Sequence, residues 1–429
     1  PTAALALTTW SAIAPIARPD PSVFSAATIE RGRLLAAVGD CAVCHVGPDA
    51  LGLAGGRGLH TPFGTVVATN ITPDVATGIG TWSYPAFERA MRQGGSRDGH
   101  NLYPAHPYTS FTKATDADLQ ALYAFVMAEP AVTHVPPPTA LAAPFDNRVL
   151  MRLWNGLFLR QGTLTPDPAR SQAWNRGRYL VEGLGHCSAC HSPRNALGAE
   201  KGGAAHLAGG TVDGWDAPAL MALSTAPVPW TAEALYTYLS TGHDAHHGVA
   251  AGPMAAVVTE LAALPDADRR AMADYVASLG TPNLASEAAT ARAEALLSRA
   301  AVEPLDASAL GQRLYNGACA QCHEPTGPTL FGVRPALALN TGVHADRPDN
   351  LTRVILEGIT EPAHSALGAM PGFATTYSDA QVSALLRYIR ARFAPEAAPW
   401  ARVEASVARV RATLVPSGMV GAAPPVPPP

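Results

Sequence analysis

Apolar residues recur at helical spacing in six stretches of the chain, and the six fall into three pairs. The first member of each pair reads "IERGRLLAAVGD" (29 to 40), "WNRGRYLVEGLGH" (174 to 186) and "LGQRLYNGA" (310 to 318), each with a glycine close to an arginine. The second reads "TDADLQALYAFVMA" from Thr115, "PDADRRAMADYVASLG" from Pro265 and "SDAQVSALLRYIRARF" from Ser378. Ser378 with Gln381 spells a capping box, and Thr115 and Asp266 are helix-start residues. Tyr123, Tyr275 and Tyr388 occupy matching places in the second helices and read as core aromatics. The pattern predicts an all-α chain of three tandem repeats, each an N-terminal helix crossed by a C-terminal one with long loops between.

The segments between the helix pairs set the predicted boundaries: an arm over 1–25, domains over 26–132, 171–281 and 305–395, a connector over 133–170, a linker over 282–304, and a C-terminal helix with a Pro-rich tail over 396–429. The connector is proline-bounded with an apolar centre, which predicts packing on its neighbours. The tail "GAAPPVPPP" predicts an extended segment. Residues 3 to 16 are apolar but shorter than the roughly 20 residues of a membrane helix. They read as the end of an N-terminal anchor or as an extended arm packed on a domain, and no later segment is apolar enough to span. Pro1 at the start of the chain reads as the product of leader removal or as a position within a longer chain. Net charge is −4 without a long run of either sign, which argues against a nucleic-acid partner.

The chain's six cysteines add chemistry to this frame. They stand as Cys41-Ala-Val-Cys44-His45, Cys187-Ser-Ala-Cys190-His191 and Cys319-Ala-Gln-Cys322-His323, each directly after a first helix. A Cys-x-x-Cys pair alone fits a redox disulfide or half a zinc site, whereas the following histidine is the signature of covalent c-type haem attachment. Cysteines three apart share a helix face and reach two vinyl groups of one haem, and the histidine is directed at iron. Three motifs with no cysteine left over predict three covalently bound haems c in an oxidising compartment, the periplasm.

Each iron then needs a second axial ligand, usually methionine or histidine. "AAGPMAAVV" and "LGAMPGFATTYS" each place a methionine beside proline in a loop before the closing helix, so Met254 and Met370 are the expected ligands. The corresponding place in the first repeat, "NLYPAHPYTSF", holds His106, which predicts a bis-histidine site of lower potential than the other two. His100 is the competing ligand. His243, His246 and His247 in "TGHDAHHG" resemble a metal cluster but read better as a solvated turn, and His60, His134, His186, His206, His344 and His364 have no evident partner. No Ser/His/Asp set, carboxylate pair or nucleotide loop emerges, so the chain reads as an electron carrier without a catalytic site. The rival classes are a haem peroxidase-like enzyme with one open iron and a free soluble shuttle.

With those residues in place, "TPFGTVVATNITPDVATGIGTWS" (61 to 83), "DGHNLYPAHPYTSFTK" (98 to 113), "SQAWNRGRYLVEGLGHCSACHSPRNALGAEK" (171 to 201) and "AMPGFATTYSDAQVSALLRYIRARF" (369 to 393) resemble the three-haem cytochrome c subunits of bacterial membrane-bound dehydrogenases. The resemblance covers nearly the whole chain. It implies an electron-transfer subunit at the periplasmic face of the inner membrane, taking electrons from a catalytic dehydrogenase subunit and passing them to ubiquinone. Residues 336 to 359 and 390 to 412 look more like the branch partnered with molybdenum and iron-sulfur hydroxylases that oxidise aldehydes or N-heterocycles. Alternative partners are quinoprotein (PQQ) alcohol dehydrogenases and flavin (FAD) gluconate or sugar dehydrogenases. The quinoprotein branch generally has methionine where His106 stands, a departure from that branch's pattern.

Overall fold

In a computed structural model, residues 9–48, 51–280, 286–301, 309–324, 335–360 and 362–414 are described. The six periodic stretches are helices α1 (Ala26–Val38), α2 (Asp116–Ala128), α3 (Gln172–Glu182), α4 (Asp266–Ala277), α5 (Ala309–Ala318) and α6 (Asp379–Phe393). Side chains of Ser25, Thr115 and Ser171 cap α1, α2 and α3, and the Ser378–Gln381 capping box opens α6. α4 starts at Asp266 after Pro265, without a side-chain cap.

The glycine shared by the three first helices marks where each pair crosses. A Cβ on Gly32 would lie 2.0 Å from the Ala121 carbonyl oxygen, on Gly177 1.9 Å from that of Ala271, and on Gly311 2.3 Å from that of Ala384. Only a residue without a side chain lets the two backbones meet there. The arginine beside it has a job in the first two repeats: Arg31 pairs with Asp118 at 2.6 Å and Arg176 with Asp268 at 2.7 Å, clamping each first helix onto the start of its partner. The three tyrosines are core residues, exposed by no more than 6%.

The chain forms two compact units. Repeats one and two make up the first, which takes in residues up to Thr225, Pro229–Asp244 and Pro253–Leu284; the second holds repeat three, Ala226–Val228 and Ala245–Gly252. Within the first unit one core runs through both helix pairs, including Leu35, Leu119, Leu122, Leu180, Leu184 and Met272. Polar ties reinforce it: the Tyr179 hydroxyl donates to buried Asp118 at 2.5 Å and accepts from the Thr115 N–H at 2.9 Å. The second unit has its own core around Tyr315, Leu385, Leu386 and Tyr388, closed by α7 (Val403–Ala412). Ser406 and Arg409 of α7 hold the buried carboxylate of Asp349.

Short hairpins punctuate the loops: Gly58–Thr61 pairs antiparallel with Gly64–Val67, and Gly210–Val212 with Trp215–Ala217. Residues 9–16 follow the extended-arm alternative, with Trp10, Ile13 and Ile16 N–H groups bonded to the carbonyls of Gly99, Arg97 and Thr81. Among the described residues no helix is long and apolar enough to cross a membrane. The first residues of that arm and the tail "GAAPPVPPP" lie outside the described residues. The connector packs as its apolar centre predicts. Its helix Leu150–Phe158 buries Met151 and Trp154, Asn155 accepts from the Tyr108 hydroxyl at 2.7 Å, and the Trp154 indole donates to the Leu197 carbonyl at 2.9 Å.

Glu182, at the end of α3, gathers three donors: Tyr275 at 2.6 Å, His206 at 3.0 Å and Lys113 of the first repeat at 3.3 Å. Burial works against its charge, but the His206 and Tyr275 hydrogen bonds and the Lys113 charge hold its pKa down at about 2, against an ordinary 4.5. A depressed carboxylate contributes stability above its unfolded pKa and loses it as pH falls toward the folded value. The first unit should therefore weaken between about pH 4.5 and pH 2, and Glu182→Gln should cost about 3 kcal/mol at pH 7. Chemical denaturation across that range checks both, and an unchanged acid limb in the variant would contradict it.

Candidate functional site

Each Cys-x-x-Cys-His motif coils into a short helix directly after a first helix: Cys41–His45, Ser188–His191 and Ala320–His323. In the first two repeats the turn is made by the residue before the first cysteine, Asp40 at φ 49° and His186 at φ 34°, both in the left-handed region that Asp and His tolerate better than most. No disulfide joins any of the six cysteines. Burial pushes the Cys41 and Cys187 thiols up to about 12, the reverse of the depressed thiol of a disulfide oxidoreductase.

The three motif histidines share one geometry. Nδ1 of His45 donates to the Thr69 carbonyl at 2.7 Å, that of His191 to Pro218 at 2.7 Å, and that of His323 to Pro335 at 3.1 Å. A hydrogen bond at one ring nitrogen fixes tautomer and orientation, and leaves Nε2 as the metal-facing atom. Burial lowers the pKa of all three rings, so each is neutral at pH 7, as a ligand must be.

His106 lies in the loop before the short helix Tyr108–Phe111. Its Nε2 is buried and has no hydrogen-bond partner, an arrangement that normally costs about 1–3 kcal/mol. Burial first, then the charges of His45 and His186, push its pKa down to about 3, against a hydrogen bond to the Ala90 backbone. A neutral imidazole with an orphaned nitrogen near His45 suits a metal. His100 sits differently: it is exposed and holds Asp98 at 2.6 Å.

Met254 is not in a loop, as its proline neighbour suggests, but is the second residue of helix Pro253–Leu261, half-buried against the core of the first unit. Proline at the first helical position starts that helix instead of interrupting it. Met370 is in extended backbone, exchanging both hydrogen bonds with Ile359 at 2.9 and 3.0 Å. The histidine-rich "TGHDAHHG" differs from a solvated turn: His247 is 5% exposed, with Nε2 donating to the Val228 carbonyl at 2.8 Å. Among the described residues no group of His, Cys, Asp and Glu side chains forms a separate metal cluster.

Several participants have no sequence signature. The Thr69, Pro218 and Pro335 acceptors are backbone carbonyls, 24, 27 and 12 residues after their histidines. Phe111 is another: its ring meets those of His106 and His186 edge-on. Asp40, beside Cys41, is pushed up to about 7 by burial and the Glu260 charge. A Cβ on its neighbour Gly39 would lie 3.7 Å from the Leu184 carbonyl oxygen, so the chain entering motif one packs against the chain entering motif two.

Residues 29–128 match the family model for cytochrome c, and residues 306–389 that for cytochrome c oxidase, cbb3-type, subunit III. The chain is 53% identical over 408 residues to a nicotinate dehydrogenase subunit of Pseudomonas putida, covering 94% of this chain but 33% of that protein. It thus spans about a third of that relative's length. It is 35% identical to the fructose dehydrogenase cytochrome subunit of Gluconobacter japonicus, covering 87% of this chain and 81% of the relative. A diheme cytochrome c-type protein of Cereibacter sphaeroides is 39% identical over 60% of this chain and 88% of its own length.

Proposed function

The chain belongs to the cytochrome c subunits of bacterial dehydrogenase complexes, and from that premise we propose that it relays electrons through three covalently bound haems, from a molybdenum hydroxylase-type partner to ubiquinone at the periplasmic face of the inner membrane. The orphaned, buried Nε2 of His106 carries this reading, because it asks for a metal where the sequence repeat puts an axial ligand. Haem c supplies one-electron chemistry when bound. The chain's residues anchor, ligate and insulate it. Cys41 with Cys44, Cys187 with Cys190, and Cys319 with Cys322 would anchor the haems as thioethers. His45, His191 and His323, with His106, Met254 and Met370, would hold the irons.

The carbonyls of Thr69, Pro218 and Pro335 raise the basicity of the three fifth ligands and lock their orientation. Substrate oxidation belongs to the partner subunit.

The 53% identity to a nicotinate dehydrogenase subunit favours a partner that hydroxylates an N-heterocycle or an aldehyde. A flavin or quinoprotein partner is the second reading, favoured by the fructose dehydrogenase relative. Metal analysis of the complex purified natively through this chain tests the choice. Molybdenum at about one per catalytic subunit is the expected result; an active complex without molybdenum turns the assignment to a flavin or quinone dehydrogenase.

A further inference from the structure

We infer that Phe111, together with His186, is the contact through which electrons pass between the first and second haem sites. The inference rests on the reading of those two sites given above and adds the path that joins them.

Three rings stand in series. The His106 and Phe111 centroids are 5.3 Å apart at 65°, and those of Phe111 and His186 5.5 Å apart at 78°, both edge-to-face. Each ring is fixed. His106 is tied to the Ala90 backbone. Phe111 is 4% exposed and ends the short helix that follows the His106 loop. His186 is pinned by its Nδ1 bond to the Leu184 carbonyl at 2.8 Å and by a left-handed backbone. Its next residue is Cys187, an anchor of site two. The row therefore begins at the proposed sixth ligand of one iron and ends one peptide unit from the thioether of the other.

Electron tunnelling decays steeply with distance and faster across voids than through packed atoms. A close-packed interior leaves few voids, and this row has van der Waals contact at both junctions. The two motifs also converge here: a Cβ on Gly39, two residues before Cys41, would lie 3.7 Å from the carbonyl oxygen of Leu184, three residues before Cys187. The step balances simply: one electron leaves the iron of one site, which is oxidised, and arrives at the iron of the other, which is reduced. No bond forms or breaks and no proton moves. An aliphatic side chain in place of Phe111 keeps the core apolar but opens a gap on one side of the row.

The test is light-triggered electron injection into the haem-loaded complex from a ruthenium photosensitiser, with time-resolved absorbance following redistribution between the first two haems. Phe111→Leu should slow redistribution several-fold with spectra and midpoint potentials unchanged, and Phe111→Tyr should restore it. His186→Asn, which tolerates the same left-handed backbone, should slow it as well. Native rates in both Phe111→Leu and His186→Asn, with haem content and potentials intact, would overturn the inference. If Phe111→Leu loses haem, His186→Asn decides alone. Failure of the underlying reading shows separately, as absence of a bis-histidine haem in the unmodified protein.

Discussion

Replacing His106 by methionine should raise the midpoint potential of the first haem on the order of 0.1 V, within the about 0.8 V span that axial ligands set. The other two haems should keep their potentials. A thioether favours ferrous iron more than an imidazole does, so histidine as the ligand at this position would hold the first site lower than its neighbours. The structure supports the assignment in two ways. His106 Nε2 is buried without a partner, and its ring is neutral at physiological pH because burial and the nearby His45 and His186 disfavour the imidazolium. Spectroelectrochemical titration resolves the components, and a titration curve identical to that of the native protein would remove His106 from the iron. With the first site lowest, electrons from the partner subunit can be received there and run downhill through the others. Haem-resolved reduction kinetics in which the first haem is reduced last, with no earlier transient, would contradict that order.

Gly177→Val should destabilise the first unit by about 3 kcal/mol or more, a larger effect than loss of any single surface ion pair. A Cβ at this position would stand 1.9 Å from the Ala271 carbonyl oxygen and 2.8 Å from the Tyr275 Cβ. Neither neighbour is the free end of a flexible side chain, so α3 and α4 would have to separate. Overpacking a core commonly costs about 1–3 kcal/mol and occasionally more. A backbone overlap of this size belongs at the upper end, against a total stability of about 5–15 kcal/mol for a typical domain. Separation of these helices would also displace Leu180, Leu184 and Tyr275 from the core shared with repeat one. Loss of covalently bound haem from both sites of the unit is the expected readout, by haem stain and absorbance. Full haem content with native thermal stability would show that the crossing tolerates a side chain.

The helices and their pairing were legible because both their period and their repetition lie in side-chain identity. Gly32, Gly177 and Gly311 each stand in a first helix close to an arginine, and the crossing explains why. Arg31 and Arg176 were visible beside them, and their partners Asp118 and Asp268 lie in the "DAD" of the closing helices. The motif cysteines and histidines are equally local signals. What escaped the sequence is of two kinds. Backbone groups carry no signature, so the carbonyls that orient His45, His191 and His323 could not be read. Long-range placement is the other: nothing in "YTSF" or "LGHC" shows that Phe111 meets His186, or that repeats one and two share a core across Asp118 and Tyr179. Met254 illustrates a local ambiguity, since proline fits the first turn of a helix as well as a loop. His247 shows the reverse error, because a polar, glycine-flanked stretch can still bury one histidine against a carbonyl.

The central claim is that three six-coordinate haems sit in this chain, one with two histidines and two with histidine and methionine. Low-temperature EPR combined with near-infrared magnetic circular dichroism of the oxidised, natively purified protein tests it most directly, since both axial ligands of every haem are reported at once. The account predicts three low-spin haems per chain, one bis-histidine and two histidine–methionine, with no high-spin iron. A high-spin component that binds azide in the resting protein would contradict it, and would place an open, enzyme-like iron where a relay site is proposed.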